Sequence, residues 1–165
     1  MATPNVRELA APPSRSPYPA GTTAFVHADG ASRGNPGPAA YGCVYVLEDG
    51  TPLCAEGAPI GDDTNNVAEW RGCVAALERL VGWKVERAVV RLDSELVVKQ
   101  FRGQYKVKKE HLRPLYERSL ELARSIPDFR IEHVRRHDNA WADAMANAAL
   151  DGAALSEGTM SVWRE

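Results

Sequence analysis

Apolar and polar positions change their period several times along this chain, and each change marks an element. The apolar run Phe25-Val26-His27-Ala28 predicts a strand over Thr23 to Asp29. Gly34-Asn35-Pro36-Gly37-Pro38 is a dense turn signal. Tyr41 to Glu48 and Thr51 to Gly57 read as two strands joined at Asp49-Gly50, a hairpin signature. From Thr64 the period lengthens to that of a helix. Val67, Trp70, Val74, Leu77 and Val81 form an apolar stripe that Cys73 and Leu80 fill. Thr64 carries a side-chain oxygen suited to cap it.

Arg87 to Leu92 predicts a fourth strand, and Ser94 can cap a short helix through Phe101. Arg102 to Lys109 is a basic loop. Glu110 to Ser125 reads as a helix with Leu112, Leu115, Leu122 and Ala123 on its apolar face, stopped by Ile126-Pro127. Phe129 to Val134 is a fifth strand and Asn139 to Leu150 an Ala-rich last helix. A hairpin set followed by strand–helix–strand crossovers implies an α/β fold. Its expected form is a mixed five-stranded sheet, three antiparallel strands then two parallel, with helices on both faces. The domain spans residues 22–150. Residues 1–21, rich in Ala, Pro and Ser, read as a flexible leader, and residues 151–165 as a tail that Val162 and Trp163 could pack.

Length and composition fit one soluble domain: 165 residues, 44% apolar and 25% charged. Cys43, Cys54 and Cys73 make an odd set with no CxxC pair, which favours a reducing compartment over a disulfide frame. There is no long apolar run and no signal-peptide pattern in the first 21 residues, so no membrane is involved and the cytoplasm is the expected location. The formal net charge of -2 runs against the basic excess usual in nucleic-acid binders, unless a cluster of acids masks a basic face.

Such a cluster is the candidate chemistry. Asp29 and Asp93 each follow a strand, Glu69 lies within the first long helix, and Asp143 lies four residues after Asn139 in the last. Ligands in open α/β sheets sit beyond strand ends, so these side chains can converge. Carboxylates meeting in one cleft repel or take up protons unless divalent cations compensate them. Two such ions can hold both oxygens of an in-line displacement at phosphorus, which points to phosphodiester hydrolysis. Glu69 immediately precedes Trp70 of the apolar stripe, so it should lie at the edge of that stripe, half-buried near the sheet.

The run Asp29 to Pro38, then Thr64-Asn65-Asn66-Val67-Ala68-Glu69, Leu92-Asp93-Ser94-Glu95 and Asn139 to Asp143, resembles the type 1 ribonuclease H family in order and spacing across residues 22–150. The resemblance implies the ribonuclease H-like fold and endonucleolytic cleavage of RNA in RNA–DNA hybrids to 5′-phosphate and 3′-hydroxyl products. It implies two ions per site, Mg²⁺ or Mn²⁺. It maps the family's acidic quartet onto Asp29, Glu69, Asp93 and Asp143, with Asp29 as the bridging ligand, Glu69 and Asp93 on one ion and Asp143 on the other. His137, in the loop six residues before Asp143, corresponds by position to a histidine suited to proton shuttling or product release.

For substrate contact the resemblance implies Arg33 and Thr64 at phosphates and Asn35, Asn65 and Asn66 across the minor groove. It adds Ser94 and Asn139. Tyr105 and Lys106 of the basic loop would follow the DNA strand. Glu95 replaces a frequent glutamine. The connection after Phe101 leaves no room for the basic helical handle some members carry, as in the handle-less prokaryotic form. The expected partner is an RNA–DNA hybrid, bound by a monomer. Cleavage of double-stranded RNA, a binding-only module of the same fold, and a related exonuclease or integrase are the alternatives.

Overall fold

The computed structural model describes residues 5–155, with side chains to residue 152. Five strands form one sheet in the order β3-β2-β1-β4-β5. β1 (Ala24–Ser32), β2 (Gly37–Val46) and β3 (Pro52–Asp63) pair antiparallel. β4 (Arg87–Leu92) adds parallel to β1, and β5 (Asp128–His133) adds parallel to β4. The expected mixed sheet is present, with β1 at its centre.

The helices are α1 (Asn65–Gly82), α2 (Glu95–Phe101), α3 (Arg113–Ala123) and α4 (Ala140–Leu155). Thr64 caps α1 by accepting from the Val67 amide at 3.2 Å, and Ser94 caps α2 by accepting from the Val97 amide at 3.2 Å. On one face, Trp70, Leu77 and Leu80 of α1 and Val97 and Leu122 pack on Val26, Ala28, Val90 and Leu92 of the sheet. On the other, Met145, Ala148, Ala149 and Leu150 of α4 cover Phe25, Val44, Val46 and Val89. The two clusters use alternate residues of each strand, as a pleated sheet requires. Burial of the Trp70 indole is compensated by donation from its N–H to Gln100 Oε1 at 3.3 Å.

Several boundaries differ from expectation for local reasons. β1 continues past Asp29 because Gly30 to Ser32 pair with β2, across Ala39 to Tyr41. β3 runs on to Asp63 through Pro59 and Gly61, which an edge strand tolerates. Glu110–Leu112 form a 3₁₀ turn, and α3 starts only at Arg113, with Pro114 in its first turn.

The expected leader is the largest departure. Residues 5–21 are not a segment outside the fold. Val6 joins the α4-side core and Tyr18 the α1-side core. Between them, the Ala55 amide of β3 donates to the Ala10 carbonyl at 2.9 Å, and Trp83 Nε1 donates to the Pro13 carbonyl at 2.9 Å. Tyr18 OH donates to the Phe25 carbonyl at 2.5 Å. The segment therefore passes round the β3 edge and anchors on both faces, covering backbone that an edge strand leaves open. At the other end, α4 carries five residues beyond the expected domain limit at Leu150, while Val162 and Trp163 lie outside the described residues. No described helix is long and apolar enough to cross a membrane.

Candidate active site

The parallel pairing of β1 with β4 ends at Ala28 and Leu92, so Asp29 and Asp93 follow side by side at the point where the two strands part. α1 crosses there at very close range. A Cβ on Gly30 would stand 2.3 Å from the Ala68 carbonyl carbon and the Glu69 nitrogen, so only glycine admits this approach. Glu69 is half-buried on the flank of α1 that meets the strand, the position its place beside the apolar stripe implies. Carboxylate oxygens of Asp29, Glu69 and Asp93 lie within 4.8 Å of one another.

These acids have almost no compensating partners of their own. Asp29 is buried, and its Oδ1 accepts from the Gly30 amide at 2.9 Å. Burial first, and then the neighbouring Glu69 and Asp93, push its carboxyl far above the ordinary value of 3.8. Burial also raises Glu69, with Asp93 and Asp143 adding to it, while a hydrogen bond with Asp29 opposes the rise. Glu69 Oε2 is buried with no hydrogen-bond partner. A buried acceptor left open among acids is a fit for a hard divalent cation, which prefers carboxylate oxygens and would discharge the repulsion.

The cleft around them, about 560 Å³, is also lined by Arg33, Asn65, Asn66, Ser94, Arg136 and Asp143. Asp143 enters from the first turns of α4, and Asn147, one turn on, donates from Nδ2 to the Asp143 carbonyl at 3.0 Å. Arg33 reaches Asp151 at 2.8 Å across the cleft margin. Asn35 Oδ1 accepts from the Asn65 amide at 3.0 Å, fastening the Gly/Pro turn to the start of α1. Thr64 stands at that same helix start, where free backbone N–H groups favour anions.

Not every expected residue reaches the cleft. Tyr105 and Lys106 line a separate groove of about 450 Å³ with Leu96, Gln100 and Lys109, and Asn66 is common to both. Asn139 is only 1% exposed. Its amide is spent inside the fold, on the Ala28 carbonyl and on His27, so it cannot touch substrate. The helix-start signal at Asn139 resembles part of a substrate motif, whereas the residue is the peg that fixes the start of α4 to β1. His137 points to solvent, with Nε2 3.3 Å from Asp138, and Arg136 lines the cleft in its place. Arg136 and Asn147 escaped the sequence reading. Helical spacing from Asp143 would have found Asn147, but a four-residue 3₁₀ turn over Arg136–Asn139 sets which loop side chain turns inward.

The comparisons agree with this arrangement. A family model described as reverse transcriptase-like matches residues 27–149. The ribonuclease HI of Halobacterium salinarum is 46% identical over 130 residues, 78% of this chain and 65% of the relative. The bifunctional protein Rv2228c of Mycobacterium tuberculosis is 46% identical over 132 residues, 79% of this chain. The chain spans only 36% of the length of that relative. Among solved structures, RNase H1 from Halobacterium salinarum superposes with a TM-score of 0.75 at 43% identity, over 78% of this chain and 98% of that one. LC11-RNase H1, solved in complex with an RNA/DNA hybrid, superposes with a TM-score of 0.74 at 38% identity, over 81% and 99%.

Proposed function

We propose a function from one premise: the chain belongs to the ribonuclease HI family. It is a metal-dependent endoribonuclease that hydrolyses the RNA strand of RNA–DNA hybrids, leaving 5′-phosphate and 3′-hydroxyl ends. The observation that carries this reading is the meeting of Asp29, Glu69 and Asp93 within 4.8 Å, with Glu69 Oε2 buried and open. LC11-RNase H1, a relative bound to an RNA/DNA hybrid, supports the substrate class.

Two divalent cations, Mg²⁺ or Mn²⁺, supply the Lewis-acid charge for in-line displacement at one phosphate. Asp29 would bridge them, Glu69 and Asp93 would hold one, and Asp143 the other. The protein's own part is positioning. Arg136 presents a fixed positive charge to phosphate oxygens in the cleft. Thr64 and the amides at the start of α1 receive a flanking phosphate. Asn35, Asn65 and Asn66 offer short amides to the minor groove, where a 2′-hydroxyl distinguishes RNA. Ser94 contributes a hydroxyl at the cleft wall. Tyr105 and Lys106, one groove away, follow the second strand, reached through Asn66. His137 at the exposed loop serves release of the product. We assign a monomer in the cytoplasm, in keeping with three buried, unpaired cysteines.

The test is a cleavage assay on labelled RNA–DNA hybrid, double-stranded RNA and double-stranded DNA, each with Mg²⁺, Mn²⁺ or chelator. Internal cuts confined to the hybrid and abolished by chelator are expected. Cuts in double-stranded RNA would widen the substrate class. Retention of hybrid without cutting would reduce the chain to a binding module and end the proposal.

A further inference from the structure

His27 lies two residues before Asp29 on β1, so both side chains point to the same face of the sheet, the one covered by α4. The loop leading into α4 crosses above it. Asn139 Nδ2 is 2.9 Å from the Ala28 carbonyl, and Asn139 Oδ1 is 2.9 Å from His27 Nδ1. The chemistry of these contacts fixes every role. A carbonyl only accepts, so the amide nitrogen must face Ala28 and the amide oxygen must face His27. An oxygen only accepts too, so His27 must carry its proton on Nδ1 and donate.

The result is a clamp across the cation site. Ala28 is bonded directly to Asp29. Asn139 immediately precedes α4, whose first turn carries Asp143. The carboxamide thus ties the strand bearing one acid to the helix bearing another, at the end nearest the cleft. The imidazole holds that carboxamide in the only orientation able to make the tie. Around it, Arg91 is the His27 partner on β4 and is itself paired with Glu132 of β5 at 3.1 Å, while Asp138 faces it from the loop. With Arg91 engaged by Glu132, Asn139 is the hydrogen-bond partner of the ring among the described residues.

We propose that His27 is a positioning residue for the cation pair: by locking Asn139, it sets the spacing between Asp29 and Asp143. The inference rests on the cation reading of the cleft. A group that orients metal ligands without touching the metal is worth about 10–100-fold in metal affinity. Two measurements test it. In the native chain, nitrogen-detected imidazole NMR should report His27 as the Nδ1–H tautomer. The Nε2–H tautomer would overturn the clamp, since Nδ1 could then only accept.

Calorimetric titration with Mn²⁺ alone, without substrate, supplies the second test. His27→Leu should weaken Mn²⁺ binding about tenfold. His27→Asn, whose amide nitrogen takes the place of Nδ1, should restore it to within about threefold of the parent. Parental affinity in the Leu variant, or an equal loss in both, would refute the positioning role. Should the Leu variant fail to fold, the tautomer decides. Asp29→Asn is the control: if it bound Mn²⁺ like the parent, the cation site itself would be wrong and the clamp would fall with it. If Asp29→Asn loses Mn²⁺ and His27→Leu does not, only the clamp fails.

Discussion

Removing one of the clustered acids should make this protein more stable. Asp29 is buried beside Glu69 and Asp93, and burial with their charge lifts its carboxyl far above neutrality from an ordinary 3.8. Without cations at pH 7, the folded chain must then keep a proton that the unfolded chain releases. The gap between 3.8 and pH 7 is ~3.2 units, and 1.36 kcal/mol per unit makes the penalty about 4 kcal/mol. Water entering the cleft and relaxation of the acids reduce it, so about 2–4 kcal/mol is expected. Asn has the shape of the protonated acid and no such penalty. Metal-free Asp29→Asn should therefore melt above the parent at pH 7, by about 5–10 °C for a domain of this size.

The sign follows from which state holds the proton. Below about pH 4 both folded and unfolded chains hold it, so the advantage should vanish. It should grow as pH rises above the unfolded value, by about 1.4 kcal/mol per unit before relaxation, and still be growing at neutral pH, because the folded value lies far above it. Thermal melts in EDTA at pH 4 and pH 7 check this. Adding Mg²⁺ should raise the parent and close the gap, because the ion binds the folded state of the parent preferentially. Equal melting of parent and variant at pH 7, or a gap that is larger at pH 4, would refute the electrostatic account of the cleft.

Other expectations concern activity and the amino-terminal segment. Glu69→Gln, Asp93→Asn and Asp143→Asn should each cut hybrid cleavage by more than about 100-fold with folding intact by circular dichroism; near-parental rates would remove that acid from the site. Arg136→Ala should raise KM for hybrid about tenfold, as loss of a charge-assisted phosphate contact does, whereas His137→Ala should stay within about threefold. The reverse order would restore His137 to the cleft chemistry. Deleting residues 1–18 should cost about 3 kcal/mol in urea unfolding, since it uncovers the sites of Val6 and Tyr18. An unchanged midpoint would return that segment to the role of a loose leader.

Most of the scaffold could be read from periodicity because the controlling signals are local. Thr64 and Ser94 act as caps where the sequence offers them, and β4 spans the expected Arg87–Leu92. Glu69 could be placed because a helix face relates it to Trp70 within one turn. The failures share a cause, which is dependence on contacts distant along the chain. The Ala/Pro-rich start has the composition of disorder, yet one amide from β3, one indole and two buried side chains hold it. Asn139 carries the same residue type whether it meets substrate or pegs a helix, and only its partner 112 positions away, His27, decides between them. Arg136 and His137 are adjacent, and the pitch of one 3₁₀ turn selects the inward one.

The most direct test of the central claim is anomalous diffraction from a crystal of the chain grown with Mn²⁺ and an RNA–DNA hybrid. Two Mn²⁺ peaks sharing Asp29, with Glu69, Asp93 and Asp143 at ligand distance and one RNA phosphate between them, is the expected result. A hybrid seated in the cleft with no peak among these carboxylates would contradict the account.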